Sequence, residues 1–137
     1  GASPLQPGGT ASRPPGDAPQ VGAATLVLAA QTHGAFTSLG IRVEEGDRSL
    51  GYAIDFHDMT DAMRTLYAGV DVWICDCLRR KPHPTHAHLD AVLTWARELD
   101  VGQLLLTHLD KSMDTATLVA ELPDWAAPAF DGQGIEL

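Results

Sequence analysis

Short apolar runs bounded by turn residues recur along this chain and predict a β-sheet. The runs at 23–30, 37–43 and 49–54 are typical of strands, and the last two predict a hairpin across the turn at 44–47. Nearly continuous apolar character at 70–76 and 103–106 indicates two further strands that are buried on both faces. Residues 129–130 and 135–137 predict a terminal hairpin across an Asp-Gly turn at 131–132.

Helical signals lie between the later strands. Thr60 is a good N-cap for a short helix over 61–67, which ends at Gly69. A longer helix over 87–99 carries an apolar stripe that consists of Leu89, Val92, Leu93, Ala96 and Leu99. Asp114 caps a third helix that runs through 121 and ends at Pro123. Strands first, then helix and strand in alternation, predict an α/β (α+β layered) domain with helices packed on a sheet.

Composition sets the boundaries of this domain. Residues 1–20 contain five prolines and four glycines without apolar periodicity, so we expect a flexible segment there and a folded domain over 21–137. With 137 residues and 45% hydrophobic content, the chain is long enough for one domain with a real core. No apolar stretch of membrane-spanning length and no secretory leader is visible.

Charge and cysteine content narrow the class of protein. The net charge of −9 disfavours binding to nucleic-acid phosphates and anionic membranes, although Arg79-Arg80-Lys81 is a local basic exception. Cys75 and Cys77 share one face of a predicted strand and cannot bridge each other there. We expect buried free thiols in a reducing cytoplasm, and a metal-binding or redox Cys-x-Cys pair is the alternative.

Histidines and a carboxylate follow predicted strands and supply the candidate chemistry. Four of the six histidines lie in two short segments, 81–90 and 104–110. His33, Asp55, His86 and His108 each end or follow a strand, and imidazole and carboxylate are ligands of a hydrolytic Zn²⁺ or Mn²⁺ site. Taken one at a time, each is better explained as a loop residue or a satisfied core histidine, and only the four together favour a site. Their convergence in space is therefore a hypothesis.

From about Gln31 to the C-terminus, the chain resembles the second half of a metallo-β-lactamase-fold hydrolase. It resembles the phosphonate-degradation phosphodiesterases, which are close to tRNase Z. The motifs that carry the resemblance agree in order and spacing; they are Thr32-His33-Gly34, Ser38-Leu39-Gly40, Tyr52-Ala-Ile-Asp55, Asp76-Cys-Leu-Arg79, His83-Pro-Thr-His86, Leu106-Thr-His-Leu109 and Ala129-Phe-Asp-Gly132. The resemblance implies half of an αββα sandwich, a mixed sheet with helices on one face.

The resemblance also implies roles for single residues. His33 matches a ligand of a first metal ion, His108 a ligand of a second, and Asp55 the carboxylate that bridges them. His86 matches a histidine that contacts the substrate phosphate and assists proton transfer, so Asp55 and His86 are the expected catalytic residues. The implied reaction is hydrolysis of a phosphodiester or cyclic phosphate through a metal-bound hydroxide. Arg79 and Lys81 are candidate anion attractors, and a solvated basic loop explains them equally well.

The chain departs from the family in one large respect. The first half of such enzymes carries a His-x-His-x-Asp-His loop that supplies the remaining ligands, and no complete motif of this kind is present. A look-alike, His86-Ala-His88-Leu-Asp90, lacks the last histidine and follows a polar, proline-broken segment instead of a strand. Asp90 is better placed to support the N-terminal turn of a helix.

Two hypotheses follow. In the first, the chain is the C-terminal half of a metal-dependent hydrolase that acts on a small phosphate ester. In the second, it is a non-catalytic α/β module derived from that fold, which serves binding or dimerisation. A missing half-sandwich leaves a sheet face uncovered, so the expected partners are a complementing N-terminal half or a second copy of the chain. A third possibility, a nucleic-acid processing enzyme like tRNase Z, shares the chemistry but needs a basic substrate-binding arm, which this acidic chain does not show. Neither nucleic acid nor a membrane is therefore expected as a partner.

Overall fold

The computed structural model describes residues 19–137, and seven strands form one mixed sheet in the order of the sequence. The strands are β1 (Gln20–Val21), β2 (Ala24–His33), β3 (Phe36–Glu45), β4 (Arg48–Ala53), β5 (Val72–Asp76), β6 (Gln103–Thr107) and β7 (Ala126–Pro128). The pairs from β1 to β4 are antiparallel, and the pairs from β4 to β7 are parallel. Most of the segment expected to be flexible therefore lies outside the described residues, although Gln20 already belongs to β1.

Each parallel pair of strands is connected through a helix. The helices are α1 (Asp61–Tyr67), α2 (Leu89–Glu98) and α3 (Thr115–Glu121), which follow β4, β5 and β6 respectively. Both predicted N-caps are confirmed, because Thr60 accepts a hydrogen bond from the backbone N–H of Met63 and Asp114 accepts one from that of Thr117. The longest helix begins at Leu89, two residues later than predicted. No helix among residues 19–137 is long and apolar enough to cross a membrane.

The hydrophobic core lies on one face of the sheet, beneath the three helices. Alternate strand residues point into it, and their register gives a row across the sheet from Ala29 on β2 to Ala53, Cys75 and Leu106. The helices cover this row with Leu66 and Tyr67 of α1, Val92 and Ala96 of α2, and Leu118 of α3. The predicted α/β architecture with helices on one face is therefore confirmed.

The opposite face of the sheet carries a second apolar row. Leu28 pairs with Ile41, Ile41 with Tyr52, Tyr52 with Ile74, and Ile74 with Leu105. Only Leu105 is buried, and the other four side chains are half-buried. The three helices of the described part of the chain pack on the other side of the sheet, so among residues 19–137 this row is the less protected face.

The predicted hairpin at the C-terminus is wrong. The last strand is Ala126–Pro128, which pairs in parallel with β6, and residues 129–137 contain no strand. A turn does form at Asp131-Gly132, where Gly132 has a φ of 80°. The C-terminal segment thus pairs with the edge of β6 through residues 126–128, and the hairpin that the local pattern predicts does not form.

Candidate metal centre

Three candidate residues lie where neighbouring parallel strands end. Asp55 comes two residues after β4, Asp76 is the last residue of β5, and His108 follows β6 directly. Because β4, β5 and β6 are adjacent and parallel, their carboxyl ends meet at one edge of the sheet. This edge brings together two predicted site residues and Asp76, which the sequence patterns did not single out as a ligand.

His33 reaches the same edge from the antiparallel part of the sheet. It is the last residue of β2, which runs in the same direction as β4 because both are antiparallel to β3. Its Nδ1 lies 2.7 Å from the carbonyl oxygen of Thr85 and therefore carries the proton that it donates. A ring held through Nδ1 in this way leaves Nε2 free, the usual arrangement of a metal-ligating histidine.

His86 comes from the loop between β5 and α2, which folds back on itself. The backbone N–H of Leu78 donates to Ala87 and that of Leu89 donates to Arg79, so the two arms of the loop run side by side. His86 Nδ1 is 2.8 Å from Asp76 Oδ2. The imidazole of His86 is thereby placed over the edge of the sheet with its Nε2 free.

Asp55, Asp76, His86 and His108 form a compact group. Each offers one ligand atom, and these four atoms all lie within 4.8 Å of one another. His108 Nδ1 is 3.4 Å from Asp76 Oδ1 and 3.8 Å from Asp55 Oδ1. Two ligands of a tetrahedral ion with bonds of ~2.1 Å lie about 3.4 Å apart, so these spacings fit a shared cation.

The second oxygen of Asp76 provides an independent test of this fit. The side chain is fully buried, and its Oδ1 has no hydrogen-bond partner among residues 19–137. Its Oδ2 is fully engaged, since it accepts from His86 and also from the backbone N–H of Asp55 at 3.0 Å. A buried carboxylate oxygen without a partner is costly. Asp76, Asp55 and His108 would hold a divalent cation, which would satisfy this oxygen.

Three further imidazole rings surround His86. The ring centroids of His33, His108 and His83 lie 4.9, 4.8 and 5.2 Å from that of His86. The pKa of His83 is lowered, first by desolvation and then by the charges of Arg79 and His86. The neutral form of the His83 imidazole is therefore favoured, and neutral imidazole is the ligand form of histidine.

Backbone strain is concentrated at this edge. Asp55 and His108 have φ angles of 55° and 60°, in the left-handed region that L-residues rarely adopt. Among the described residues, the third such non-glycine residue is Asp100, which follows α2. Strained residues persist where the surrounding structure over-determines them, and they cluster at functional sites.

The remaining predicted residues lie around the group. His33 is outside the set of four but in ring contact with His86. Arg79 donates to the carbonyl oxygens of Lys81 and Pro82, so its guanidinium braces its own loop, while Lys81 is exposed. Of the look-alike motif, His88 is the N-cap of α2 and Asp90 lies in its first turn; neither belongs to the group.

The two cysteines are free and buried, as predicted. Burial, followed by the nearby Asp76 carboxylate, raises the pKa of the Cys77 thiol to about 12. The pKa of Cys75 is shifted in the same direction, again chiefly by burial. Both thiols therefore remain protonated at neutral pH and behave as core side chains.

Comparison with known proteins agrees with this geometry. Residues 9–109 match the family described as the beta-lactamase superfamily domain. The chain belongs to this family. No curated protein matches this beta-lactamase superfamily chain.

Solved structures share the fold. A diphosphatase from the PhnP family matches with a TM-score of 0.77 and 29% identity, over 85% of this chain and 44% of that one. The metallo-beta-lactamase fold protein YhfI from Bacillus subtilis matches with a TM-score of 0.73 and 21% identity, over 88% of this chain and 52% of that one. Human tRNase Z, short form, matches with a TM-score of 0.60 and 17% identity, over 67% of this chain and 38% of that one. This beta-lactamase superfamily chain thus spans about half the length of the first two structures.

Proposed function

We propose that this chain forms half of the active site of a metal-dependent hydrolase that acts on a phosphodiester or cyclic phosphate. The observation that carries the proposal is the convergence of Asp55, Asp76, His86 and His108 around the unpaired oxygen of Asp76. The similarity to a diphosphatase of the PhnP family supports a phosphate ester as the substrate. A net charge of −9 favours a small substrate over a nucleic acid.

Asp55 and His108 would hold the metal ion, together with the free oxygen of Asp76. His33 is held through the hydrogen bond from its Nδ1 to Thr85, which leaves its Nε2 free to be a ligand of a second metal ion. Nitrogen and oxygen ligands of this kind suit Zn²⁺ or Mn²⁺. When bound, such an ion polarises a phosphoryl oxygen and lowers the pKa of bound water.

His86 would move protons. Asp76 accepts the Nδ1 proton of His86, which fixes the tautomer and leaves Nε2 as the acceptor or, once protonated, the donor. Hydrolysis of a phosphodiester adds water across one P–O bond and releases an alcohol. His86 in its protonated form would give its proton to the leaving oxygen, and Asp76 would stabilise that imidazolium.

Lys81 and Arg79 would attract the anionic substrate. Lys81 is exposed beside the histidine loop and carries its charge into solvent. Arg79 contributes a positive charge while its donors hold the loop that presents His86.

Buried free thiols also agree with a reducing compartment, and we propose a cytoplasmic location.

A partner would cover the half-buried apolar face. The row from Leu28 to Ile74 crosses four strands, and the chain spans about half of the neighbouring structures, so a complementing N-terminal half is the first candidate and a second copy the other. Light scattering distinguishes them: a dimer that Ile41→Lys converts to monomer identifies the second copy. A monomer that is captured by the product of the upstream coding sequence identifies the complementing half.

This apolar face also favours the second candidate function, a non-catalytic binding or dimerisation module. A rate assay separates the two functions. Hydrolysis of bis(p-nitrophenyl) phosphate and of a 2′,3′-cyclic nucleotide is measured after addition of Mn²⁺ or Zn²⁺, both for the chain alone and with its complementing half. The hydrolase predicts turnover that His86→Gln reduces by ~10²-fold or more and His88→Gln leaves unchanged. Turnover that is absent in both preparations supports the module, whereas turnover that is equal in both variants contradicts the catalytic role of His86.

A further inference from the structure

A buried polar network lies behind the metal centre. Gln31 is 1% exposed, and its side-chain amide donates to Ser38 Oγ at 3.1 Å and to the carbonyl oxygen of Ile54 at 3.0 Å. Its side-chain oxygen accepts from the hydroxyl of Tyr67, a fully buried residue of α1, at 2.5 Å. Every donor and the acceptor of the Gln31 amide are therefore in use.

The network ends on the backbone of Asp55. Ser38 Oγ has one proton and donates it to the nearer of two carbonyl oxygens, that of Asp55 at 2.6 Å instead of that of Ile54 at 3.3 Å. On its other side, the backbone N–H of Asp55 donates to Asp76 Oδ2. Both peptide groups that flank the left-handed Cα of Asp55 are thus fixed by side chains from other strands.

The core leaves room for the network at a glycine. A Cβ on Gly40 would clash with the Tyr67 hydroxyl and would lie 2.5 Å from the side-chain oxygen of Gln31. Any side chain at position 40 would separate these two groups. Gly40 and Ser38 belong to the Ser38-Leu39-Gly40 segment, so one short stretch of β3 provides both the space and the hydroxyl.

We propose that Ser38, supported by Gln31 and Tyr67, is a positioning residue that holds Asp55 in its strained conformation and so presents the carboxylate to the metal ion. The proposal rests on the proposed function, since it assigns Asp55 to the metal. It adds that side chains in the core fix the geometry of the site, because they donate hydrogen bonds to its main-chain carbonyl groups. Asp55 alone, with φ near 55°, would otherwise relax to an unstrained backbone.

The test uses Ser38→Ala, with Ser38→Thr as the rescue variant and Ser49→Ala as the matched control. Ser49 is a buried serine at the far end of the neighbouring strand, where its side chain bonds to Asp71. Hydrogen–deuterium exchange of the 54–58 segment is measured on the metal-free chain. The affinity for Mn²⁺ alone and for Zn²⁺ alone is measured by isothermal titration.

Ser38→Ala should speed exchange of the 54–58 segment by ~10-fold and weaken metal binding by ~10–100-fold, the usual effect of removing a group that orients a ligand. Ser38→Thr, which keeps the hydroxyl, should restore both values, and Ser49→Ala should change neither. Unchanged exchange in Ser38→Ala overturns the positioning role, whether or not metal binds. Faster exchange with unchanged affinity also overturns it, because the network would then be structural only. A wild-type chain that binds no metal contradicts the proposed function, and the exchange result still decides whether Ser38 holds Asp55.

Discussion

Replacing Asp76 with asparagine removes the one buried charge of the site without changing its shape. The amide oxygen takes the place of Oδ2 and still accepts from His86 and from the backbone N–H of Asp55. The amide nitrogen then takes the place of the unpaired Oδ1, 3.4 Å from His108 Nδ1. The substitution therefore exchanges an anionic oxygen that faces the proposed cation for a hydrogen-bond donor.

The effects on stability and on metal binding should differ in size. In the metal-free chain, two charge-assisted hydrogen bonds become neutral, at a cost of ~1 kcal/mol each. The free-energy penalty for burying an unpaired carboxylate oxygen, which is similar in size to that total cost, disappears at the same time. The free energy of unfolding should thus change by less than about 1 kcal/mol. Metal binding should weaken by at least 10–100-fold, which is about 1.4–2.8 kcal/mol.

Urea unfolding in the presence of a chelator gives the first quantity, and isothermal titration with Mn²⁺ or Zn²⁺ gives the second. Asp71→Asn is the control. Asp71 lies at the opposite end of β5, where its carboxylate accepts a hydrogen bond from the backbone N–H of Ser49 at 2.7 Å. Equal metal affinity in Asp76→Asn and wild type would refute the assignment of the unpaired oxygen. A loss of several kcal/mol in stability without metal would show that Asp76 serves the fold instead.

Three further predictions concern the strain, the core and the thiols. His108→Gly should be more stable than His108→Ala by ~1 kcal/mol in urea unfolding, because glycine adopts a φ of 60° without strain; equal stabilities would contradict the strain. Gly51→Ala should lower the unfolding free energy by ~1–3 kcal/mol, since the added Cβ would lie 2.7 Å from the Tyr67 ring and 2.9 Å from that of Trp73. The raised pKa of Cys77, about 12, means that the unfolded chain ionises first, so stability is lost as pH rises from about 9 to 12. Between pH 10 and 11, under reductant, Cys77→Ala should lose ~1.4 kcal/mol less than wild type, and parallel curves would contradict this reasoning.

Local signals were sufficient for most of the fold. Thr60 and Asp114 cap helices because each offers a side-chain oxygen to a free backbone N–H, an interaction that depends on a few neighbouring residues. The edge strands were different. β1 has two residues and β7 has the weak strand sequence Ala-Ala-Pro, so both depend on pairing with a distant part of the chain.

The sequence predicted three members of the candidate group, Asp55, His86 and His108, and did not single out the fourth, Asp76. Asp55 and His108 each follow a strand. Because those strands are parallel, their carboxyl ends lie at the same edge of the sheet, and this is sufficient to bring the two residues close together. Asp76 ends an apolar run in the same way, so the sequence does contain a signal that marks it as a further ligand candidate. The contact between His86 and Asp76 depends on how the loop after β5 folds back, which spacing along the chain does not determine.

The central claim is that the carboxyl edge of this sheet binds a divalent metal ion, and a metal count tests it most directly. The purified chain is dialysed to equilibrium against Mn²⁺ or Zn²⁺, and bound metal per chain is measured by mass spectrometry after acid release. The account predicts about one ion per chain at saturation, lost in Asp55→Asn and in His108→Ala and retained in His88→Ala, whose histidine lies outside the group. No bound ion, or equal binding by all four proteins, would contradict it.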